Sequence, residues 1–254
     1  MQRRFVLTGQ GQSDIGSVRP TNQDSFLINE ANDLFIVADG MGGHAGGEIA
    51  SSLCISKVCS YIDQHKESIM KKETDPHHDA LWRTLLSESI NHASAKIYEY
   101  SLENPSLRGM GTTATLLTYH NDVIHWGHVG DSRLYLIREG FQYQLTNDHS
   151  LVNEQVRAGI ITEEEAASHH LKNVITRSVG YQEEEDVDTA SFKMENDDLF
   201  VLCSDGLYGK VSDSEISSMI QKERFGAIPN LINLANQRGG EDNITVIVIQ
   251  VEAK

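Results

Sequence analysis

The stretch Leu34-Phe35-Ile36-Val37-Ala38-Asp39-Gly40-Met41-Gly42-Gly43-His44 constrains the fold more than any other part of the chain. Its five leading apolar residues are too few and too β-branched for a helix, so they read as a strand covered on both faces. The run stops at a carboxylate and passes into a glycine-rich segment, where the backbone can turn tightly and a ligand can approach it closely. From Ala45 the pattern turns helical, with Ile49, Leu53 and Val58 on one face. A buried strand thus delivers Asp39 to a glycine-lined rim where a lone carboxylate is poorly solvated. It needs a cation.

The same design recurs twice. Leu199-Phe200-Val201-Leu202-Cys203 ends in Ser204-Asp205-Gly206, and Gly239-Gly240-Glu241-Asp242-Asn243 opens onto Ile244-Thr245-Val246-Ile247-Val248-Ile249. An aspartate at one strand end is usually a turn former. Three in one context point to a shared site.

Composition limits the partners. With 21 basic and 37 acidic residues, the 254-residue chain carries a net charge of −16. Nucleic acid and anionic membranes both need a basic face, so neither is expected as a partner. The 3 cysteines (Cys54, Cys59, Cys203) sit in apolar contexts without a pairing framework, which fits a reducing cytosol. Phe5-Val6-Leu7 is too short for a signal peptide, and no apolar run is long enough to span a bilayer. The expectation is a cytoplasmic protein, acting as a monomer.

Along the chain, strands are predicted at 5–9 and in a hairpin at 25–38 that turns near 29–33. Helices follow at 45–65 and 77–101, with Pro76 placed to open the second. Tightly spaced strands come next, at 112–118, 122–129, 132–138 and 141–145. The short separators leave no room for crossover helices, so these strands pair antiparallel. The polar segment 147–180 contains Thr162-Glu163-Glu164-Glu165, which resembles a capping box, and reads as a small helical insertion. A strand at 198–203, helices at 213–221 and 228–236, and a strand at 243–251 complete the chain. The result is one α+β domain over 1–254, with two sheets between helix layers.

Asp39, Asp205 and Asp242 are hard oxygen donors, which favours Mg²⁺ or Mn²⁺ over Zn²⁺. A bound ion pair inverts the local field of an acidic protein and attracts a phosphoryl dianion. It also turns a water into a nucleophile at neutral pH. Arg19, in Arg19-Pro20-Thr21-Asn22-Gln23-Asp24, offers a fork suited to phosphate, and Asp24 can hold a water of an ion's hydration shell.

Seven motifs occur in order: Arg-x-x-Asn-Gln-Asp at 19–24, Asp-Gly-Met-Gly-Gly-His at 39–44, Gly-Thr-Thr at 111–113, Gly-Asp-Ser-Arg at 130–133, Asp-His-Ser at 148–150, Ser-Asp-Gly-Leu at 204–207 and Gly-Gly-x-Asp-Asn-Ile-Thr at 239–245. Together they resemble the metal-dependent Ser/Thr protein phosphatases of type 2C, in their bacterial form. The resemblance implies a four-layer α-β-β-α sandwich of two antiparallel sheets flanked by helix pairs, with a binuclear Mg²⁺ or Mn²⁺ centre between the sheets. It implies Asp39, Asp205 and Asp242 as ligands, the Gly40 carbonyl on the second ion, Arg19 as phosphate clamp and 147–180 as the flap. It also places Asp131 near Asp205, at a weak third ion. Phosphorylated proteins, including a Ser/Thr kinase and its targets, are the implied partners. Two positions depart from the wider family. Eukaryotic members carry a general-acid histidine directly after Asp-Gly, where this chain has Met41 and the nearest substitute is His44. Gly209 stands where an additional aspartate is often found. His149 is expected to position the flap, and the other histidines to be solvated or satisfied in packing.

Three rival readings are weaker. Gly40-x-Gly42-x-x-Ala45 imitates a dinucleotide fingerprint, but the acid about 20 residues on, Asp63, ends a helical pattern rather than a strand. A phosphotransferase with Asp39 as nucleophile lacks an evident lysine near the other acids. An inactive phosphoprotein-binding adaptor has no reason to keep Arg19 and every acid.

Overall fold

The computed structural model describes residues 4–43 and 45–254. Strand β1 (Phe5–Asp14) leads into the hairpin β2 (Asp24–Asn29) and β3 (Leu34–Met41), then the long helices α1 (Gly46–Met70) and α2 (His78–Glu103). Strands β4 (Gly111–Thr112), β5 (Ala114–His120), β6 (Val123–Val129), β7 (Arg133–Arg138) and β8 (Phe141–Gln144) precede the insertion, which holds α3 (Leu151–Arg157) and α4 (Glu163–Ser168). The chain continues through β9 (Asp188–Lys193), β10 (Leu199–Cys203), the one-turn α5 (Asp205–Tyr208), α6 (Asp213–Glu223), α7 (Ala227–Gln237) and β11 (Ile244–Ala253).

The strands form two antiparallel sheets, ordered β1-β11-β10-β7-β8 and β2-β3-β5-β6-β9, with β4 beside β3. Helices α1 and α2 cover one sheet and α6 and α7 the other, giving the four-layer α-β-β-α sandwich. This layering explains the uninterrupted apolar runs, because successive side chains of a strand point to opposite faces. In β3, Phe35 and Val37 enter the core between the sheets while Leu34 and Ile36 pack under α1 and α2. In β10, Phe200 and Leu202 face the other sheet while Leu199, Val201 and Cys203 meet α6 and α7. Burying one such side chain is worth about 1.5–3 kcal/mol, so a polar residue on either face would be costly.

The departures from expectation have local causes. β1 runs to Asp14 rather than stopping near residue 9, because its polar half pairs with β11 by backbone from Thr8↔Gln250 to Asp14↔Ile244. The strand β9 was not foreseen. Helix α2 begins at His78, so Pro76 lies before its cap, His77. The insertion carries its capping box at Thr162 and Glu165, as the sequence suggested. Among the histidines, His128 is satisfied by Thr115 Oγ1 at 2.9 Å and the Asn147 carbonyl at 3.1 Å. His125 stacks on Trp82 and hydrogen-bonds Ser191 through Nδ1, and its buried Nε2 has no hydrogen-bond partner among the described residues. Among the described residues no helix is long and apolar enough to cross a membrane.

Candidate metal centre

The two sheets bring the predicted carboxylates to one end of the sandwich. Asp39 lies near the end of β3, Asp205 opens α5 just after β10, and Asp242 lies two residues before β11. With Arg19, Gly40 and Asp131, they line one cavity of about 210 Å³. Asp24 stands opposite Asp39 in the β2–β3 register.

Neighbouring segments hold each group in place. Asp39 is fixed through its backbone: its N–H donates to Thr113 Oγ1 at 2.9 Å, and its carbonyl accepts from the Thr113 N–H and the Thr112 hydroxyl. That is the work of the Gly-Thr-Thr motif. Gly40 is glycine because a Cβ there would collide with the carbonyl oxygens of Gly47 and Gln23. The carboxamide of Asn243 accepts from the Gln23 N–H and donates to the Ile15 and Thr21 carbonyls, so the segment bearing Arg19 is tied to the base of β11. Sequence alone assigns these threonines and Asn243 no role. Their only signal was membership of the motifs.

Asp24 is buried, and its Oδ2 accepts from Ser204 Oγ at 2.8 Å and Thr245 Oγ1 at 2.6 Å. Its Oδ1 and the Oδ1 of Asp205 are buried with no hydrogen-bond partner among the described residues. Burial, chiefly, pushes the pKa of Asp24 up to about 6, of Asp205 to about 7 and of Asp131 to about 8. Asp39 is raised well above the usual carboxylate range by burial and by the charges of Asp24, Asp205, Asp131 and Asp242. Such crowding is unfavourable for ionised carboxylates alone and favourable once cations sit among them.

The donor set fits Mg²⁺ or Mn²⁺. All the candidate ligands are oxygens, two buried oxygens lack partners among the described residues, and Asp39, Asp131, Asp205 and Asp242 line the cavity. Among the described residues, no three His, Cys, Asp or Glu side chains form a shell for an ion by themselves. Ions that retain several waters and take one or two carboxylates suit this arrangement, whereas a closed tetrahedral zinc site does not.

At the rim, Arg19 Nη2 donates to Asp242 Oδ2 at 2.6 Å, with the arginine side chain about half exposed. On the other side, Asp131 is buried and its carbonyl accepts from the Tyr208 hydroxyl at 2.9 Å. The Tyr208 ring lies 3.7 Å under the Arg133 guanidinium, which in turn forks onto Asp148 at the root of the insertion. His149 accepts from the Gly130 N–H through Nδ1 and lies 3.3 Å from Asp188, so it joins that root to the loop bearing Asp131. Gly209 presents no carboxylate here. His44, the expected proton donor, lies outside the described residues.

A family model described as protein phosphatase 2C matches residues 11–239. The chain belongs to the protein phosphatase 2C family. Its relatives include protein phosphatase PhpP of Streptococcus pneumoniae, 35% identical over 94% of this chain and 95% of that one. The solved Mycobacterium tuberculosis serine/threonine phosphatase PstP/Ppp superposes with a TM-score of 0.85 at 34% identity, covering 97% of this chain and 99% of that one. The catalytic domain of PstP, solved with two manganese ions, gives a TM-score of 0.84 at 34% identity over 98% and 99% of the two chains. Membership makes this protein phosphatase 2C chain a phosphoric monoester hydrolase of bacterial type.

Proposed function

We propose that the chain hydrolyses phosphoserine and phosphothreonine in proteins at a pair of Mg²⁺ or Mn²⁺ ions held by Asp39, Asp205, Asp242 and the Gly40 carbonyl. The observation that carries this reading is the set of crowded carboxylates with buried, unpartnered oxygens beside an exposed arginine fork. Uncatalysed monoester hydrolysis is slow enough that accelerations of up to about 10²¹ are known, whereas one acid–base group supplies about 10²–10⁴. Charge stabilisation at the centre must therefore dominate. When bound, divalent ions supply Lewis acidity and a water acidic enough to attack phosphorus at neutral pH.

The chain's own residues do the rest. Arg19 grips phosphate oxygens. Asp24, held by Ser204 and Thr245, turns its free oxygen toward the centre and orients a water. His44 protonates the departing alkoxide. Replacing His44 by alanine then harms phosphopeptide turnover far more than p-nitrophenyl phosphate turnover, because nitrophenolate leaves without a proton. Equal losses on both substrates exclude that role.

The segment 147–180 acts as a flap within one catalytic domain, and the chain works as a cytoplasmic monomer opposing a Ser/Thr kinase. The adaptor reading is not favoured, since Arg19, Asp39, Asp205 and Asp242 are all present. Asp39→Asn, Asp205→Asn and Asp242→Asn should each nearly abolish turnover and weaken Mn²⁺ binding in calorimetry. Full activity in excess chelator, or an acyl-phosphate trapped on Asp39, contradicts the proposal.

A further inference from the structure

The strand β8 closes one side of its sheet, and among the described residues it pairs only with β7. A free strand edge presents unpaired N–H and C=O groups, and proteins usually blunt it with charge or proline. Here the four residues are Phe-Gln-Tyr-Gln, with neither. Phe141 and Tyr143 are 65% and 50% exposed, and they alternate onto the same face. Tyr143 lies opposite Leu136, a residue of the core between the sheets, and Phe141 lies opposite Arg138 further along the same edge.

The other face of β8 borders a cavity of about 470 Å³ shared with α6. Gln142 lines it, and the Gln142 Oε1 atom is buried without a hydrogen-bond partner among the described residues. It is an acceptor in want of an N–H.

This edge is continuous with the candidate centre. The carboxylate cavity shares Asp131, Asn173 and Asp205 with a cavity of about 480 Å³ beneath the insertion. That cavity in turn shares Gln144 and Asp213 with the one beside β8. The register fixes the scale. Gln144 pairs with Tyr135, four residues along from Asp131, and Phe141 pairs with Arg138, seven along. At about 3.3 Å per residue, β8 therefore lies about 13 to 23 Å from the Asp131 rim.

We propose that β8 docks an extended segment of the phosphoprotein substrate as an added strand, about four to seven residues from the phosphorylated side chain. This rests on the phosphatase reading and adds to it a place for the polypeptide. Main-chain pairing supplies affinity with little demand on sequence, and the two aromatic rings anchor side chains of the incoming strand.

The test uses p-nitrophenyl phosphate and two phosphothreonine peptides from one Thr/Val-rich parent, with three or ten residues on each side of the phosphothreonine. With wild type, the long peptide should have a KM about tenfold below that of the short one, the scale of one interface anchor. In F141S/Y143S that advantage should vanish, with p-nitrophenyl phosphate turnover unchanged. If the double variant does not fold, Tyr143→Thr alone is read in the same way. Length-independent kinetics in wild type, or an equal loss on all three substrates in the variant, overturns the proposal. So does a wild-type dimer that F141S/Y143S dissociates while the length advantage persists, since β8 then serves self-association. Turnover of no substrate by wild type removes the phosphatase reading and this proposal with it.

Discussion

Arg19 reaches across the rim to Asp242, its Nη2 lying 2.6 Å from Oδ2. The residue proposed to grip phosphate is thus held by one of the carboxylates proposed to hold an ion. The pair is partly exposed, at 49% and 31%, so its own contribution to stability is small. Its meaning is positional: the guanidinium is already aimed at the centre, and an anionic substrate competes with Asp242 for it.

Arg19→Ala should mainly raise KM for phosphopeptides, because the fork contacts the phosphate before and during attack alike. Loss of a charge-assisted contact is worth about 1.5–3 kcal/mol, or roughly 10–100-fold. Mn²⁺ affinity, measured by calorimetry, should stay the same or tighten, since Asp242 is released. An unchanged KM returns Arg19 to an ordinary surface turn.

Asp131 should belong to an outer, weakly held ion. It faces Asp205 across the cavity junction, its backbone is fixed by Tyr208, and Gly209 offers no further carboxylate. A site with few protein ligands leaves its ion mostly hydrated and weakly bound. Asp131→Ala should therefore keep two tight ions in a calorimetric titration, lose a weak third and lower kcat. Loss of the tight pair would place Asp131 in the central site, and no change in either quantity would make it a turn residue.

What the sequence made legible follows from burial. β3, β10 and β11 are covered on both faces, so their apolar runs announced them, and the acids at their ends announced the centre. β9 was silent because only Ala190 and Phe192 reach the core and its other residues are polar. Its place is set by pairing with β6 from Val123↔Lys193 to His128↔Asp188, a long-range contact that no local pattern encodes. The polar half of β1 was missed for the same reason. That Asp39, Asp205 and Asp242 would meet at one cavity could be read from spacing and chemistry. The hydroxyls of Ser204 and Thr245 that orient Asp24 could not, because they meet it only after both sheets have formed.

Acid should destabilise the fold through His125. Its ring stacks on Trp82, and burial, then the nearby His120, His78 and Arg83, lowers its pKa from 6.5 to about 3. Between those values the unfolded chain binds a proton that the folded chain does not, so stability rises with pH across the window and falls on acidification from 6.5. The loss by pH 5 is about 2 kcal/mol. Between pH 6.5 and 5 the Tm of wild type should fall relative to that of His125→Phe, whatever the other titrating groups contribute to both, even if the variant has the lower Tm overall. Parallel curves for the two proteins would contradict this.

The central claim is that ions held by these carboxylates carry the hydrolysis. Its most direct measurement is inorganic phosphate release from a phosphothreonine peptide by the purified chain, with added Mn²⁺ and after chelation. The prediction is saturable, Mn²⁺-dependent release that disappears in excess chelator and returns when Mn²⁺ is restored. Release at an undiminished rate in chelator, or none at any Mn²⁺ concentration, would contradict it.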